Sequence, residues 1–312
     1  MNKYKLSDET KTTSSGTVLH RVVATTTFTL ANGNTVDAGD LGGWIEKESN
    51  LSDNAWVSDD AQVYGNAKVS GNALVSGNAQ VYGNAKVYSD ALVSGHALVY
   101  GNAEVSGDAQ VYDNTKVYGK ARVDGKAQVY GQAWVYGNAR VSGNAQVSDN
   151  ALVRGNAKVS GDAMVYSDAE VYGNAQVSDN AQVFSLAIIS DNARVSGDAQ
   201  VYSNAIVYGD AQVSGTALVG ADAQIAGDAK VMDVSDYTVY KNNWSSNDRY
   251  FTWTKSNDMW AEGCFYGTGD ELIEKAYAES EDSGKHYEAY VKWPKVLSDG
   301  LNDLSSQDDM QL

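Results

Sequence analysis

Apolar and polar residues repeat with a period of six along most of the chain. From Ala55 to Val231 the unit reads Asn or Asp, Ala, any residue, Val, any residue, Gly, and it occurs thirty times without an insertion or deletion. A period of six contains a period of two, so Ala and Val point to one side of a strand and the variable residues to the other. The pattern predicts thirty short strands that bury Ala and Val.

The Gly-Asn or Gly-Asp pair between units predicts a corner, because these residue types adopt positive φ readily. Three strands and three corners close one triangular coil, so thirty units build about ten coils. With strands stacked about 4.8 Å apart, the stack of coils, which we call the shaft, is roughly 48 Å long. The predicted fold class is an all-β solenoid, a parallel β-helix, over residues 55–232.

The first 54 residues do not follow the six-residue rule. Val18 to Leu30 is rich in β-formers, and Asn32-Gly33-Asn34 is a turn signal. An open edge of the first coil would pair with other chains, and a capping segment prevents this. We predict that residues 1–54 form an N-terminal β cap.

The repeat stops again after Val231, which predicts a small C-terminal α+β domain over residues 233–312. The composition there predicts two strands around a polar turn, two short helices ending before Pro294, and a disordered tail from Ser298. The predicted elements are strands at Tyr237 to Tyr240 and Tyr250 to Lys255, and helices at Glu271 to Ser280 and Lys285 to Trp293.

Because the units keep their register, every third unit lies on the same face of the shaft. One face, the tyrosine face, carries a column of tyrosines interrupted by Arg154 and Ser190, beside a column with Leu98, Trp134, Leu152, Ile188 and Ile206. One interpretation is a ladder of stacked rings that favours β structure. The other is an apolar interface, most simply for self-association. The interface candidates are Tyr64, Tyr82, Tyr100, Tyr118, Trp134, Tyr136, Tyr172 and Tyr208.

A second face, the basic face, carries a column of cations interrupted by Glu104 beside a column of serines. Like charges about 5 Å apart repel, so a column of stacked cations is unfavourable unless its charge is compensated or serves a function. Corner aspartates neutralise it locally, or it binds an anion or an acidic partner. The candidates for the second role are Lys68, Lys86, Arg122, Arg140, Lys158, Arg194 and Lys230.

The third face, the mixed face, is a second interface candidate with aromatic and aliphatic residues. Its members are Trp56, Leu74, Leu92, Tyr112, Tyr130, Met164, Tyr166, Phe184 and Tyr202.

The overall charge of −17 and the pI near 4.4 argue against a general affinity for nucleic acid or anionic lipid. No apolar stretch approaches the roughly 18 residues that a bilayer-spanning helix needs. The charged N-terminus has no apolar core of a signal peptide, which favours a cytoplasmic protein. The single cysteine, Cys264, excludes an internal disulfide.

The repeat resembles a known family. Units such as Val69-Ser70-Gly71-Asn72-Ala73-Leu74 resemble the left-handed β-helix hexapeptide family, and the resemblance implies a left-handed coil. The segments Gly39 to Glu46 and Gly263 to Thr268 are similar to those of phage- and prophage-encoded members, some of which carry acyltransferase-like names.

The resemblance also implies what an enzyme of this family would need. Its acyltransferases use a histidine base, a cofactor cleft between subunits and often a loop that breaks the coils. The shaft here has no loop and one histidine, His96, at a corner, while His20 and His286 lie in the two end regions. Three scattered histidines do not predict a metal site, and Cys264 has no evident partner base. We therefore expect neither a cofactor nor a catalytic site.

The sequence leaves three functions open. The favoured one is a non-enzymatic scaffold that forms homo-oligomers and binds a host protein, as a phage or prophage accessory factor. The alternatives are an acyltransferase-like enzyme that holds coenzyme A between subunits with His96 or His20 as base, and an acidic mimic of nucleic acid. The basic face argues against the last.

Overall fold

The computed structural model describes residues 3–30, 33–241 and 250–308. Thirty two-residue strands, β6 to β35, run from Trp56–Val57 to Lys230–Val231 and stack into three parallel sheets. Each sheet receives every third strand, so one circuit of the shaft takes three strands. The prediction of about ten coils in a parallel β-solenoid is confirmed. The handedness of the coil stays a prediction from the family resemblance.

The first sheet forms the tyrosine face, and its strands pair in register so that Val81 lies between Val63 and Val99. Its shaft strands are Gln62–Val63, Gln80–Val81, Leu98–Val99, Lys116–Val117, Trp134–Val135, Leu152–Val153, Glu170–Val171, Ile188–Ile189, Ile206–Val207 and Gln224–Ile225. This sheet has thirteen strands, because three strands of the N-terminal cap extend it.

The other two sheets have ten strands each. The basic face is built from Lys68–Val69, Lys86–Val87, Glu104–Val105, Arg122–Val123, Arg140–Val141, Lys158–Val159, Gln176–Val177, Arg194–Val195, Gln212–Val213 and Lys230–Val231. The mixed face is built from Trp56–Val57, Leu74–Val75, Leu92–Val93, Gln110–Val111, Gln128–Val129, Gln146–Val147, Met164–Val165, Gln182–Val183, Gln200–Val201 and Leu218–Val219.

The repeated Ala and Val side chains fill the interior of the shaft. From Ala61 to Val231 nearly all of them have no solvent-exposed surface. Burial of one valine side chain contributes about 1.5–3 kcal/mol before the ordering of the backbone is subtracted. The exception to the repeat is Thr115, which is fully buried and whose hydroxyl makes no hydrogen bond among the described residues.

The corners depend on positive φ and on close contact between coils. Gly143 has a φ of +72°, and a Cβ there would lie 2.8 Å from the carbonyl oxygen of Gly161. Asp149 adopts a φ of +54° at an equivalent corner, and its carboxylate accepts a 3.0 Å hydrogen bond from the backbone amide of Ser167. Asparagines at the next position form ladders in which each side-chain amide donates to the residue one coil away, as Asn156 does to Asn174.

The N-terminal cap is an antiparallel extension of the first sheet. Strands β1 (Tyr4–Thr12), β2 (Val18–Ala24) and β5 (Leu41–Ile45) follow one another, and β5 pairs in parallel with Gln62–Val63. Strands β3 (Phe28–Thr29) and β4 (Thr35–Val36) form a small hairpin. Its predicted turn includes Asn32, which lies outside the described residues.

A 3₁₀ helix, Glu48–Asn50, brings the chain into the first coil. The side-chain amide of Asn50, which is fully buried, donates to the carbonyl oxygens of Gly65 and Ala67. The asparagine side chain thus replaces a backbone amide of the missing previous coil.

The C-terminal domain combines a 3₁₀ helix, a four-stranded antiparallel sheet and two helices. The elements are the 3₁₀ helix Val234–Asp236, β36 (Tyr237–Lys241), β37 (Tyr250–Thr254), β38 (Met259–Glu262), β39 (Phe265–Thr268), α1 (Gly269–Glu279) and α2 (Glu281–Asp308). Phe251, Trp260, Leu272, Ala276 and Tyr287 form its core.

The predicted helix ending at Trp293 is wrong in length, because α2 continues through Pro294 as far as Asp308. It therefore enters the segment from Ser298, where we predicted a disordered tail. The predicted polar turn between β36 and β37 lies outside the described residues. Proline has no backbone N–H and disfavours helix in the residue before it, which made a helix end before Pro294 the expected outcome.

Candidate interaction surfaces

The tyrosine face carries a stack of five parallel rings. Neighbouring rings from Tyr64 to Tyr136 have centroids 4.9–5.0 Å apart and planes within 2° of each other. The spacing equals the distance between coils, so the in-register pairing of the strands creates the stack. These five tyrosines thus form a stacked ladder, which both interpretations of the column allow, and each ring is half-buried.

Beyond Tyr136 the column changes character. The guanidinium of Arg154 lies 4.0 Å from the ring centroid of Tyr172 and pairs with Glu170 at 3.2 Å. A planar cation therefore takes the place of a ring in the stack. Two coils beyond Arg154, Ser190 leaves the position between Tyr172 and Tyr208 without a ring, and its own residue surface is only 5% exposed.

The column beside the tyrosines holds five apolar side chains that are only partly covered, and Lys116 and Glu170 interrupt them. Trp134 is 37% exposed, and the amino group of Lys116 lies 4.2 Å from its ring centroid. The aliphatic members of the column are all half-buried, namely Leu98, Leu152, Ile188 and Ile206. Together with the rings they form a mainly apolar stripe along the sheet, interrupted by the charged Lys116, Arg154 and Glu170 and by Ser190.

The stack also changes the ionisation of its hydroxyls. Burial raises the pKa of Tyr64 above its ordinary value of 10.0. Burial, and then the charge of the preceding tyrosine, raise the pKa of Tyr82 and of Tyr100. Tyr118 has a raised pKa for the same two reasons, with a tyrosine on each side of it. The neutral phenol is therefore favoured in the folded shaft.

Three cations in the first half of the basic face, Lys86, Arg122 and Arg140, pair with carboxylates, and none of these carboxylates belongs to a corner aspartate, the source named in one of our two interpretations. Glu104 pairs with Lys86 at 3.1 Å and with Arg122 at 3.5 Å, on the coils before and after it. Arg140 pairs at 3.0 Å with Asp124, which lies in the serine column.

The corner aspartates are used differently. The carboxylates of Asp53, Asp59, Asp113, Asp149, Asp179 and Asp191 accept hydrogen bonds from backbone amides of the next coil. These hydrogen bonds tie the six carboxylates to the backbone of the corners, and none of the six forms a salt bridge with a cation of the basic face.

In the second half of the basic face, cations alternate with glutamines. Gln176 separates Lys158 from Arg194, and Gln212 separates Arg194 from Lys230. No carboxylate of the described residues forms a salt bridge with these three exposed cations. The alternation doubles the distance between like charges to about 10 Å, which lowers their repulsion.

The mixed face carries a second aromatic column with one interruption. Tyr112 and Tyr130 stack at 5.2 Å, while Tyr166 and Phe184 stack at 5.0 Å and Phe184 continues to Tyr202 at 5.4 Å. The interruption is Ser148. Sequence analysis identified the aromatic residues of this face and overlooked the serine, although the six-residue register places it between two tyrosines.

The three described histidines belong to three separate elements. His20 lies in β2, His96 is exposed at a shaft corner, and His286 lies in α2, with its Nδ1 2.7 Å from the carbonyl oxygen of Asp282. Within residues 3–30, 33–241 and 250–308, no three His, Cys, Asp or Glu side chains form a group that would hold a metal ion. Neither described helix combines the length and apolarity of a bilayer-spanning segment.

Cys264 is exposed and lies where the C-terminal domain meets the last coil. It lines a cavity of about 380 Å³ together with Asp222, Gln224, Tyr250, Glu262, Gly263 and Lys275. Glu262 is buried, accepts a hydrogen bond from the hydroxyl of Tyr287 at 3.1 Å and pairs with Lys275 at 3.8 Å. These contacts join β38 to both helices and explain the buried carboxylate by a structural role.

The fold and its surfaces define a repeat-containing parallel β-solenoid with a cap at each end. Residues 61–77, 67–83, 187–203 and 199–215 match a family model described as the YdcK beta solenoid repeat. The matched segments lie wholly in the shaft, so the similarity supports a repeat β-helix family. A comparison with curated proteins gives no match.

Proposed function

We propose that the protein is a non-enzymatic binding and assembly scaffold that self-associates through its tyrosine face. The observation that carries the proposal is the stack of five tyrosine rings from Tyr64 to Tyr136, which lies beside the partly exposed Trp134 and its aliphatic neighbours. Tyr and Trp are enriched in protein interfaces, particularly at positions where truncation weakens binding most. Rings already held in a stack lose little conformational freedom on binding.

The dimensions of the stripe set the expected strength of association. From Tyr64 to Tyr208 it spans eight coil spacings, roughly 40 Å, and with a width of about 15 Å it offers roughly 600 Å² per partner. A stable interface of standard size buries about 800 Å² per partner. The net charge of −17 adds repulsion between two copies. We therefore expect weak, concentration-dependent association that strengthens as salt screens the charge.

The proposal includes a phage or prophage origin and a host protein as the further partner. Its support is the resemblance of Gly39 to Glu46 and Gly263 to Thr268 to segments of phage- and prophage-encoded solenoids. A straight shaft with both ends capped suits such a role, because it holds its side faces at fixed positions.

Sedimentation velocity across a range of protein concentrations tests self-association. The test variant is Tyr100→Glu with Tyr136→Glu, which places two carboxylates in the stack two coils apart. The matched control is Ser106→Glu with Ser142→Glu, at the same positions of the repeat and the same spacing on the basic face. We expect the tyrosine variant to remain monomeric and the control to associate as the wild type does.

Two outcomes would contradict the proposal. A wild-type protein that stays monomeric at every concentration, or a tyrosine variant that associates unchanged, removes the interface. Tyr100→Ser with Tyr136→Ser, which deletes the rings without adding charge, separates loss of contact from repulsion. Native mass spectrometry of the same samples addresses the enzyme alternative, because a retained coenzyme or nucleotide would favour a cofactor cleft between shafts.

A further inference from the structure

The aromatic column of the mixed face has a gap one ring wide. Gln128, Gln146 and Met164 pair in register, so Tyr130, Ser148 and Tyr166 lie on three consecutive coils. The rings of Tyr130 and Tyr166 are therefore about 10 Å apart, twice the coil spacing. One planar group placed between them would complete a continuous stack from Tyr112 to Tyr202.

The gap is a formed cavity. Its volume is about 260 Å³, and it is lined by Tyr130, Gln146, Ser148, Asp149, Met164 and Tyr166. The tyrosines form the two walls, and Ser148, which is only 5% exposed, forms the floor. The wall positions are fixed, because Tyr130 donates to Gln146 at 3.3 Å and Tyr166 donates to Gln182 at 3.5 Å.

The polar groups of the slot select for positive charge. Asp149 supplies a carboxylate at its edge, while Gln146 and Ser148 supply oxygen acceptors. Among the described residues that line the slot, none carries a positive charge. Burial and then the charge of Asp149 raise the pKa of the Tyr166 hydroxyl, in keeping with a negative field inside the slot.

The tyrosine face shows what can take the place of a ring in this protein, although its second interruption, at Ser190, is left without a ring. There the column is interrupted at Arg154, whose guanidinium stacks 4.0 Å from the ring centroid of Tyr172 and pairs with Glu170. A guanidinium is planar, always charged and weakly hydrated, so it stacks on aromatic faces better than an ammonium group does. The slot at Ser148 offers the same surroundings, aromatic faces and a carboxylate, without the arginine.

We propose that the slot at Ser148 binds the side chain of an arginine from a partner protein. The guanidinium lies between the rings of Tyr130 and Tyr166 and pairs with Asp149. The net charge of −17 attracts a basic partner and steers it to the shaft. The inference goes beyond self-association through the tyrosine face and stands whether or not that occurs, because it concerns another sheet.

The test is a titration of the full-length protein, isotope-labelled in its tyrosine rings, with acetylated Gly-Arg-Gly amide followed by NMR. Tyr130→Phe and Tyr166→Phe identify the two ring signals. We expect saturable shifts of both signals with the arginine peptide. The matched Gly-Lys-Gly and Gly-Tyr-Gly peptides should bind roughly fivefold or more weakly, because an ammonium stacks poorly and a neutral ring gains nothing from Asp149.

Variants assign the binding to the slot. Ser148→Arg fills it from within, as Arg154 does on the other face, and should abolish the shifts. Ser190→Arg is the matched control, since Ser190 is equally buried between two tyrosines of the other column, and should leave the shifts at Tyr130 and Tyr166 intact. Asp149→Asn keeps an oxygen for the Ser167 amide, removes the charge and should weaken binding about fivefold.

Three results would overturn the proposal. They are no shift of the two ring signals, equal affinity for the arginine and lysine peptides, and tighter binding of the tyrosine peptide. The last would make the slot a site for an aromatic side chain.

Discussion

The backbone amide of Gln224 donates a 2.8 Å hydrogen bond to the hydroxyl of Thr252. Along the shaft, before the last coil, the amide of the first residue of each strand donates to a carbonyl of the following coil, as Trp56 does to Ala73. In the last coil these amides have no following coil to donate to, and in the first coil the matching carbonyls have no preceding coil to accept from. Side chains that accept hydrogen bonds close the C-terminal end of the shaft, and side chains that donate them close the N-terminal end.

The other end contacts follow the same polarity. The amide of Lys230 donates to Ser256 at 2.7 Å, and that of Met232 donates to Asp236 at 2.8 Å. At the first coil the hydroxyl of Tyr4 donates to the carbonyl oxygens of Glu48 and Leu51. Side chains of the two caps thus close edges that would otherwise add strands from another molecule.

Thr252→Val should destabilise the C-terminal end of the shaft. The substitution keeps the volume of a residue that is 1% exposed and removes the acceptor of the Gln224 amide. A buried donor left unpaired costs about 1–3 kcal/mol. Urea denaturation should show this loss, whereas Thr216→Val, at an exposed corner, should change the free energy of unfolding by less than about 0.5 kcal/mol. Equal effects of the two variants would contradict the closing role of Thr252.

Thr115→Val should stabilise the shaft. The hydroxyl of Thr115 is buried without a hydrogen bond among the described residues, and valine has the same shape without that group. The expected gain in the free energy of unfolding is about 1–3 kcal/mol. The reverse change at a neighbouring buried position, Val117→Thr, should cost a similar amount. A lower denaturation midpoint for Thr115→Val would show that the hydroxyl is satisfied in solution.

Stability should fall above pH 10 because of the tyrosine stack. The pKa values of Tyr64, Tyr82, Tyr100 and Tyr118 are raised in the folded shaft above the ordinary 10.0, chiefly by burial. Between the unfolded and folded pKa values the folded state binds more protons. The contribution of these hydroxyls to the free energy of unfolding is therefore fully present below pH 10 and is lost as the pH rises through the folded pKa values.

The matched variant replaces these four tyrosines by phenylalanine, which keeps the rings and removes the hydroxyls. Phe184 stacks between two tyrosines on the mixed face, so a hydroxyl is not needed for the stack. Melting temperatures of the wild type and the variant should diverge above pH 10, with the steeper fall in the wild type. Parallel curves would show that the hydroxyls ionise as freely as in the unfolded chain.

Glu104→Gln should lower stability at low ionic strength and have little effect at high ionic strength. It removes the carboxylate between Lys86 and Arg122 and leaves stacked cations unscreened. Exposed ion pairs contribute about 0.2–1 kcal/mol each, and salt weakens them.

The opposite change tests the same argument. Gln176→Glu inserts a carboxylate between Lys158 and Arg194, just as Glu104 lies between Lys86 and Arg122. This variant should raise the melting temperature at low ionic strength. If both variants shift it in the same direction, local neutralisation does not explain the charge pattern of this face.

The regular part of the molecule was predictable from the sequence because its neighbours are set by the repeat. Once the unit has six residues and three units close a coil, every residue contacts the one eighteen positions away. This relation predicted the buried Ala and Val, the coil number and the column from Tyr64 to Tyr136. The same relation places Ser148 between Tyr130 and Tyr166, although a list of the aromatic residues alone does not show this gap.

The caps show the limit of this reasoning. Their sequences are not periodic, so no rule relates Thr252 to Gln224, which are 28 residues apart. The length of α2 was also not predicted, because a proline such as Pro294 usually indicates that a helix has ended just before it.

By itself, then, the sequence determined the β-solenoid, its register and the composition of its three faces. The reason is that in a strict short repeat the separation of two residues along the chain determines which face each lies on and how many coils lie between them. Only the tertiary structure decided how side chains share those faces. It showed that Glu104 rather than a corner aspartate pairs with Lys86 and Arg122, that Arg154 takes a ring's place beside Tyr172, and that cap side chains close the open edges. These outcomes depend on side-chain reach and competition for hydrogen bonds, which a pattern of residue types does not contain.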